Sequence, residues 1–273
     1  MTKTKSVNIA SLMMLLWLAV FVFATFYAQR WADFLSIIGC TLPMVLFKRG
    51  HRGKTFGTRD SNTVKYKKKE YALLMLFGIS GSAVISAVTY LVINAGYVET
   101  TTQRSDFLYL LVFGCLIPAF FEEWLVRGGV LGALKPIGAK GVWLSAIFFM
   151  LMHAEPTKYL YAFFAGFMIG SLVYLTECIY LGFLMHFLNN FASLLLSYVP
   201  KGNGEYVALG IIIAICVLSF NLLKKTNLFA DTKKIVMLAK KDDTALYEEE
   251  NIFTPLFYTF VALAIGVMIL RVL

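Results

Sequence analysis

Charge and histidine are scarce in this sequence. Only 15% of its 273 residues are Asp, Glu, Lys or Arg, and it has three histidines. Hydrophobic residues fill 59% of positions and mean hydropathy is +0.73. A soluble domain of this size cannot hide that much apolar surface, whereas a bilayer solvates it. Cysteine is also sparse: Cys40, Cys115, Cys178 and Cys216 all lie in or beside apolar stretches, and no two share a CxxC or metal-like spacing. That excludes a disulfide framework and a zinc ribbon and leaves four small packing residues. There is no internal repeat, no low-complexity tract and no HExxH. The net charge is +9, yet no aromatic residues interleave the lysines as single-strand nucleic-acid binders require.

What is present is a series of long apolar blocks. They fall near 8–28, 32–47, 71–97, 106–134, 142–154, 159–176, 179–199, 207–223 and 253–273. At 1.5 Å per residue most are long enough to cross a hydrocarbon core of roughly 30 Å. The expectation is an all-α polytopic bundle of about 8–9 spans, the second and fifth of them short. The first, after MTKTK, is too long for a signal peptide and has no convincing cleavage site, so it reads as an uncleaved span. Basic residues concentrate at 48–69 and 224–241, with Lys135 and Lys140 between. By the positive-inside pattern these face the cytoplasm, which puts the N-terminus there too. The 224–252 segment, lysine pairs followed by an acidic cluster, reads as a solvated loop, with a surface helix as the alternative. Gly166 and Gly170 form a GxxxG in the sixth span, which helix packing explains.

The chemistry lies where polar residues interrupt apolar helices. The fourth span carries Glu122, Glu123 and Arg127 in the run IPAFFEEWLVRGG. Each intramembrane charge costs roughly 2.5–3.5 kcal/mol on insertion scales, so three in one helix need a reason. Glu123 and Arg127, four apart on one face, can neutralise each other and leave Glu122 as the unpaired carboxylate. Pro118, one turn earlier, kinks the helix or frees a carbonyl. The fifth span ends with Phe149 and His153, and the seventh carries His186 and Asn190 four apart. The third histidine, His51, sits among lysines and reads as solvated. Measured from the cytoplasmic helix ends, Glu122 lies about 18 Å deep, His153 roughly 17 Å and His186 about 10 Å, so the three can meet in the cytoplasmic half or middle of the bilayer. Taken singly, each is as well explained by helix-to-helix hydrogen bonding. A spare carboxylate, two histidines and an amide at matched depth favour proton-transfer chemistry.

Those residues carry a resemblance. The order Glu122-Glu123-x-x-x-Arg127, Phe149-x-x-x-His153, His186-x-x-x-Asn190 resembles the signature of the CPBP family, the intramembrane peptidases related to the CAAX prenyl endopeptidase and also labelled Abi or bacteriocin-processing proteins. It spans about 106–195 and divides the chain into N-terminal spans (1–105), a CPBP-like catalytic core (106–199) and C-terminal spans (200–273). The resemblance implies that Glu122 activates water for attack on a peptide carbonyl with help from His153. His186 and Asn190 would stabilise the oxyanion, with Glu123, Arg127 and Phe149 in support. No cofactor is favoured; the competing mechanism holds zinc on Glu122, His153 and His186. The implied partners are a peptide or membrane-protein substrate, approached from the cytoplasm, and the lipid bilayer, with no nucleic acid. In a bacterial setting the resemblance implies bacteriocin or pheromone maturation or immunity, and in a eukaryotic one CAAX-type processing of prenylated C-termini; the lysine-rich, short-looped chain reads as that of a bacterial cell membrane protein. Two other readings are a non-catalytic membrane scaffold for a sensor kinase or envelope enzyme and a proton-coupled transporter, the latter weakened by the missing repeat symmetry.

Overall fold

A computed structural model describes residues 2–48, 66–93, 106–200, 202–238 and 252–272. His51, most of the first basic segment and the acidic end of the second lie outside the described residues. The described residues form ten helices and no strand: α1 (Lys3–Tyr27), α2 (Ala32–Lys48), α3 (Lys68–Ile93), α4 (Phe107–Ile137), α5 (Ala139–Met152), α6 (Tyr159–Thr176), α7 (Ile179–Leu196), α8 (Asn203–Leu223), α9 (Asn227–Leu238) and α10 (Pro255–Val272). Seven are long and apolar enough to cross a membrane; α5 and α10 are shorter apolar helices, and α9 is not one of them. The polytopic bundle expected from the sequence is the observed fold, and the protein is an integral membrane protein.

Local chemistry fixes several helix ends. Thr2 caps α1, its Oγ1 accepting from the Lys5 N–H at 3.2 Å, and Asp106 caps α4 by accepting from the Leu108 N–H at 3.1 Å. The turn from α4 to α5 passes through Gly138 at φ +66°, a conformation open to glycine without strain.

The helices alternate in direction, and contacts between their ends define two faces. On one face Tyr66 donates to Asp231, Leu228 N–H donates to Glu70, and Lys135 lies 3.6 Å from Glu177. On the other, the Tyr109 hydroxyl donates to Asp33, Phe107 meets the Tyr198 ring, and Arg271 donates to the Ala154 carbonyl. The first face is the one the lysine-rich segments join.

Two apolar cores fill the interior. In one, α1, α2, α4, α5 and α10 bury residues such as Met14, Leu125, Phe148 and Phe260; in the other, Leu74, Leu131, Met168, Leu172 and Leu228 pack together. Helices α4, α5 and α6 contribute to both and so form the spine. Much of the apolar exterior, Phe34, Leu160, Val207 and Leu218 among it, faces outward toward lipid.

The segment expected to be a solvated loop holds α9. Its Leu228, Thr232 and Ile235 recur at helical spacing and are buried against α3, α5 and α6, so a helix with one apolar stripe closes the lysine-rich face. Glu70 ties it down: one carboxylate oxygen accepts the Leu228 N–H at 3.0 Å, at the N-terminus of α9, and the other accepts the Lys67 N–H at 3.3 Å. Replacing Glu70 by Ala leaves the buried Leu228 N–H unpaired at a cost of about 1–3 kcal/mol. In detergent the Glu70→Ala protein is expected to be cut by trypsin after Lys233 or Lys234 faster than the wild type, relative to cleavage elsewhere in the chain. An unchanged cleavage rate would remove the latch role.

Candidate active site

Helix α4 changes its winding around the acidic pair. Wider π-helical turns at Leu110–Leu116 and Trp124–Leu131 flank an α-helical piece, Ile117–Glu123, that holds Pro118, Glu122 and Glu123. Such turns release backbone groups and re-aim side chains. Pro118 adds to this, since it has no N–H to offer the carbonyl four residues back. That carbonyl belongs to Gly114, and the Asn190 side-chain amide of α7 donates to it at 3.4 Å. The freed carbonyl expected from the sequence thus helps to place a candidate site residue.

Glu123 and Arg127 pair as expected. Arg127 Nη1 lies 2.7 Å from Glu123 Oε1, and both side chains are fully buried. The same oxygen receives His186 Nδ1 at 2.9 Å, so the carboxylate gathers α4 and α7 onto one atom. Arg127 Nη2 donates to the Gly166 carbonyl of α6 at 2.8 Å, and its guanidinium stacks 4.6 Å over the Phe149 ring of α5. Two glycines make room for this cluster. A Cβ on Gly166 would stand 2.9 Å from Phe149, and one on Gly182 would stand 2.7 Å from Val173 and 3.2 Å from Glu123 Oε2. Gly166, explained from the sequence as helix packing alone, therefore also supplies an acceptor to Arg127.

Glu122 stands apart. It is only partly buried and makes no hydrogen bond or ion pair among the described residues, as expected for the spare carboxylate. His153 turns Nδ1 toward the Phe149 carbonyl at 2.9 Å. A carbonyl only accepts, so Nδ1 carries the proton and Nε2 of the neutral ring holds a lone pair.

Glu122, His153, His186 and Asn190 line one chamber of about 280 Å³, together with Phe149, Asn189, Ser193 and Lys158. A second chamber of about 290 Å³ lies on the other side of α4, walled by Trp17, Phe21, Ala24, Leu35 and Cys40 of α1 and α2 with Asp33 and Ser36. Glu122 and His153 face both. The residues singled out from the sequence line the first chamber together, whereas nothing in the sequence pointed to the second. Its walls are mostly ordinary apolar helix residues, and Asp33 is the one charged residue that α1 and α2 bring to it.

The residues converge near mid-depth, Glu122 at the centre of α4 and His186 close to the centre of α7, and the chambers extend from there away from the lysine-rich face. Helix α5 has 14 residues and rises about 21 Å, short of a hydrocarbon core of roughly 30 Å. It ends at Met152, and His153 follows on the side away from the lysines. Most of the lining of both chambers comes from the helix halves farther from the lysine-rich face, with Ile169 and His186 of the first chamber just past the midpoints. Non-helical backbone at membrane depth is tolerated where it lines a cavity or is buried in protein. The Ala154 carbonyl is met by Arg271 at 3.4 Å.

Zinc would need Glu122, His153 and His186 to converge on one point. Among the described residues no three His, Cys, Asp or Glu side chains are grouped so as to hold a metal ion. The Nδ1 atoms of both histidines are turned to Phe149 and Glu123, which leaves Nε2 free on each ring, so the misfit lies in how the three side chains are grouped. As placed, the residues do not fit the metal.

Residues 104–192, about a third of the chain, match the family model described as Type II CAAX prenyl endopeptidase Rce1-like. The match covers the stretch that carries all three motifs, and the resemblance read from them is borne out. No curated protein and no solved structure matches the chain.

Breaking one partner of a buried pair leaves an uncompensated charge, at a cost of about 3–5 kcal/mol, whereas replacing both with apolar groups costs far less. Glu123→Gln and Arg127→Leu are each expected to lower the thermal unfolding midpoint in detergent markedly. The double variant is expected to recover part of that loss. If the two losses simply add, the pair is not energetically coupled.

Proposed function

We propose that this chain, whose residues 104–192 match the Rce1-like CAAX prenyl endopeptidase family, is an intramembrane endopeptidase that hydrolyses a peptide bond with Glu122 as its base. The observation that carries the reading is the unpaired Glu122 carboxylate, set on the wall of a polar chamber that His153, His186 and Asn190 also line.

The residues divide the work. Glu122 takes a proton from a water molecule that the His153 Nε2 lone pair helps to hold. The oxygen attacks the peptide carbonyl carbon and the C–O π electrons move onto the oxygen. Asn190 spends one amide hydrogen on Gly114 and has a second to donate to that oxyanion. His186 already gives Nδ1–H to Glu123, so its Nε2 donates only from the doubly protonated ring. Collapse of the intermediate breaks the C–N bond, and Glu122 returns its proton to the leaving amine. Donors fixed in a site that excludes bulk water stabilise the developing charge without having to reorganise. Glu123 and Arg127 touch no substrate in this scheme; they hold His186 and Phe149 in place. No step passes through a metal, and catalysis is proposed to be metal-free.

The substrate class is a peptide precursor or membrane-anchored protein. In a bacterial membrane, maturation of a peptide or immunity to one suits such an enzyme; CAAX-type processing is the form the family name suggests.

The test compares peptide termini in membrane and secreted fractions of cells making wild-type or Glu122→Gln protein at equal level. New termini are expected only with the wild type. Asn190→Ala is expected to reduce their rate of appearance about 10²–10³-fold, as for loss of one oxyanion donor. Identical termini, with Glu122→Gln still rescuing a deletion phenotype, would replace the peptidase with a membrane scaffold.

A further inference from the structure

The side of the membrane on which the site opens follows from its position and from the distribution of cations. The chambers lie away from the lysine-rich face. Gly114 and Pro118 are in the first part of α4, His153 follows the end of α5, Tyr161 and Ala165 are in the first half of α6, and Asn190 and Ser193 are in the second half of α7. These helix parts run toward the ends that meet through Tyr109 and Asp33, Phe107 and Tyr198, and Arg271 and Ala154. On the opposite face α9 closes the bundle.

Cations divide sharply between the two sides. Among the described residues, only Arg30, Lys158 and Arg271 of the lysines and arginines fall at helix ends on the chamber side, and Arg127 is buried inside. The other described lysines, from Lys3 and Lys5 to Lys233 and Lys234, fall on the closed side. Asp33, Asp106, Glu155 and Glu205 offset the chamber-side cations, while the described part of the closed side keeps a surplus of positive charge. Each basic residue beside an anionic cytoplasmic leaflet contributes about 1 kcal/mol, and moving one charge across 100 mV costs about 2.3 kcal/mol. A surplus of this size sets a single orientation.

We propose that the scissile bond reaches Glu122 from the extracytoplasmic side, so that the substrates are peptide segments exposed on, or anchored at, the outer leaflet. This rests on the peptidase reading and replaces the cytoplasmic approach expected from the sequence. It selects exported peptides and externally facing membrane-protein segments over cytoplasmic prenylated C-termini. The apolar second chamber, open to the same half, suits the side chains or anchor of a substrate lying in that leaflet.

Two measurements test it separately. Cys40, Cys115, Cys178 and Cys216 are first replaced by Ala, and a single cysteine is then placed at Asn203→Cys on the chamber side or Lys225→Cys on the closed side, both exposed positions. Intact cells are treated with a membrane-impermeant maleimide, and denatured samples give the total. Labelling of Asn203→Cys with protection of Lys225→Cys is expected; every other pattern overturns the proposal. In the terminus comparison, wild-type-dependent cleavages are expected in externally facing segments, and cleavages in cytoplasmic segments overturn it. If no such termini exist, the peptidase reading fails while the labelling still decides which side the chamber faces.

Discussion

A fully buried arginine would be intolerable in the middle of a membrane bundle unless its charge were answered there. Glu123 answers it at 2.7 Å, and the arrangement around that one carboxylate oxygen organises the helices. It receives His186 from α7, while Arg127 reaches the Gly166 carbonyl of α6 and lies over Phe149 of α5. Four helices are therefore registered against each other by polar contacts rather than by apolar packing alone. Apolar packing between membrane helices is non-directional and barely distinguishes one rotation from another, whereas a guanidinium fork does. The isolation of Glu122 follows from the same geometry: its neighbour engages Arg127 and His186 and leaves Glu122 facing the chamber.

Backbone irregularity supplies the second ingredient. Regular helices of full length would present an unbroken apolar surface with every carbonyl occupied. Here α4 widens twice, Pro118 withholds an N–H from Gly114, and α5 stops early. Each departure places a polar group at membrane depth, and each such group found has a partner inside the protein. Asn190 uses the Gly114 carbonyl, His153 uses Phe149, and Arg271 reaches Ala154.

The helical bundle was legible in the sequence because span length and charge run lengths are read directly from it. The Glu123–Arg127 pair was legible for a similar reason: four-residue spacing on a helix leaves little choice of neighbour. The attachment of His186 to Glu123 was not, because it depends on how α7 rotates against α4, and no local pattern encodes that. Helix α9 was hidden by its charge; three buried residues at helical spacing are a faint signal among lysines. The second chamber was hidden for the opposite reason, its walls being indistinguishable from lipid-facing residues until α1 and α2 are set against α4. The side on which the site opens is not legible from depths counted along single helices, because the shortness of α5 decides where His153 falls.

The length of α5 then acts as a ruler. From Ala139 to Met152 the helix carries His153 to a fixed height above the turn at Gly138, and that turn is itself held by Gly141 packed close against the Leu134 carbonyl. One residue more or less within α5 would raise or lower the imidazole by about 1.5 Å and swing it by about a quarter turn. Neither α4 nor α7 could follow, being pinned at Glu123. The flanking segments outside this core are free to change length without moving a reacting atom, whereas inside it the number of residues is as much a part of the chemistry as their identity.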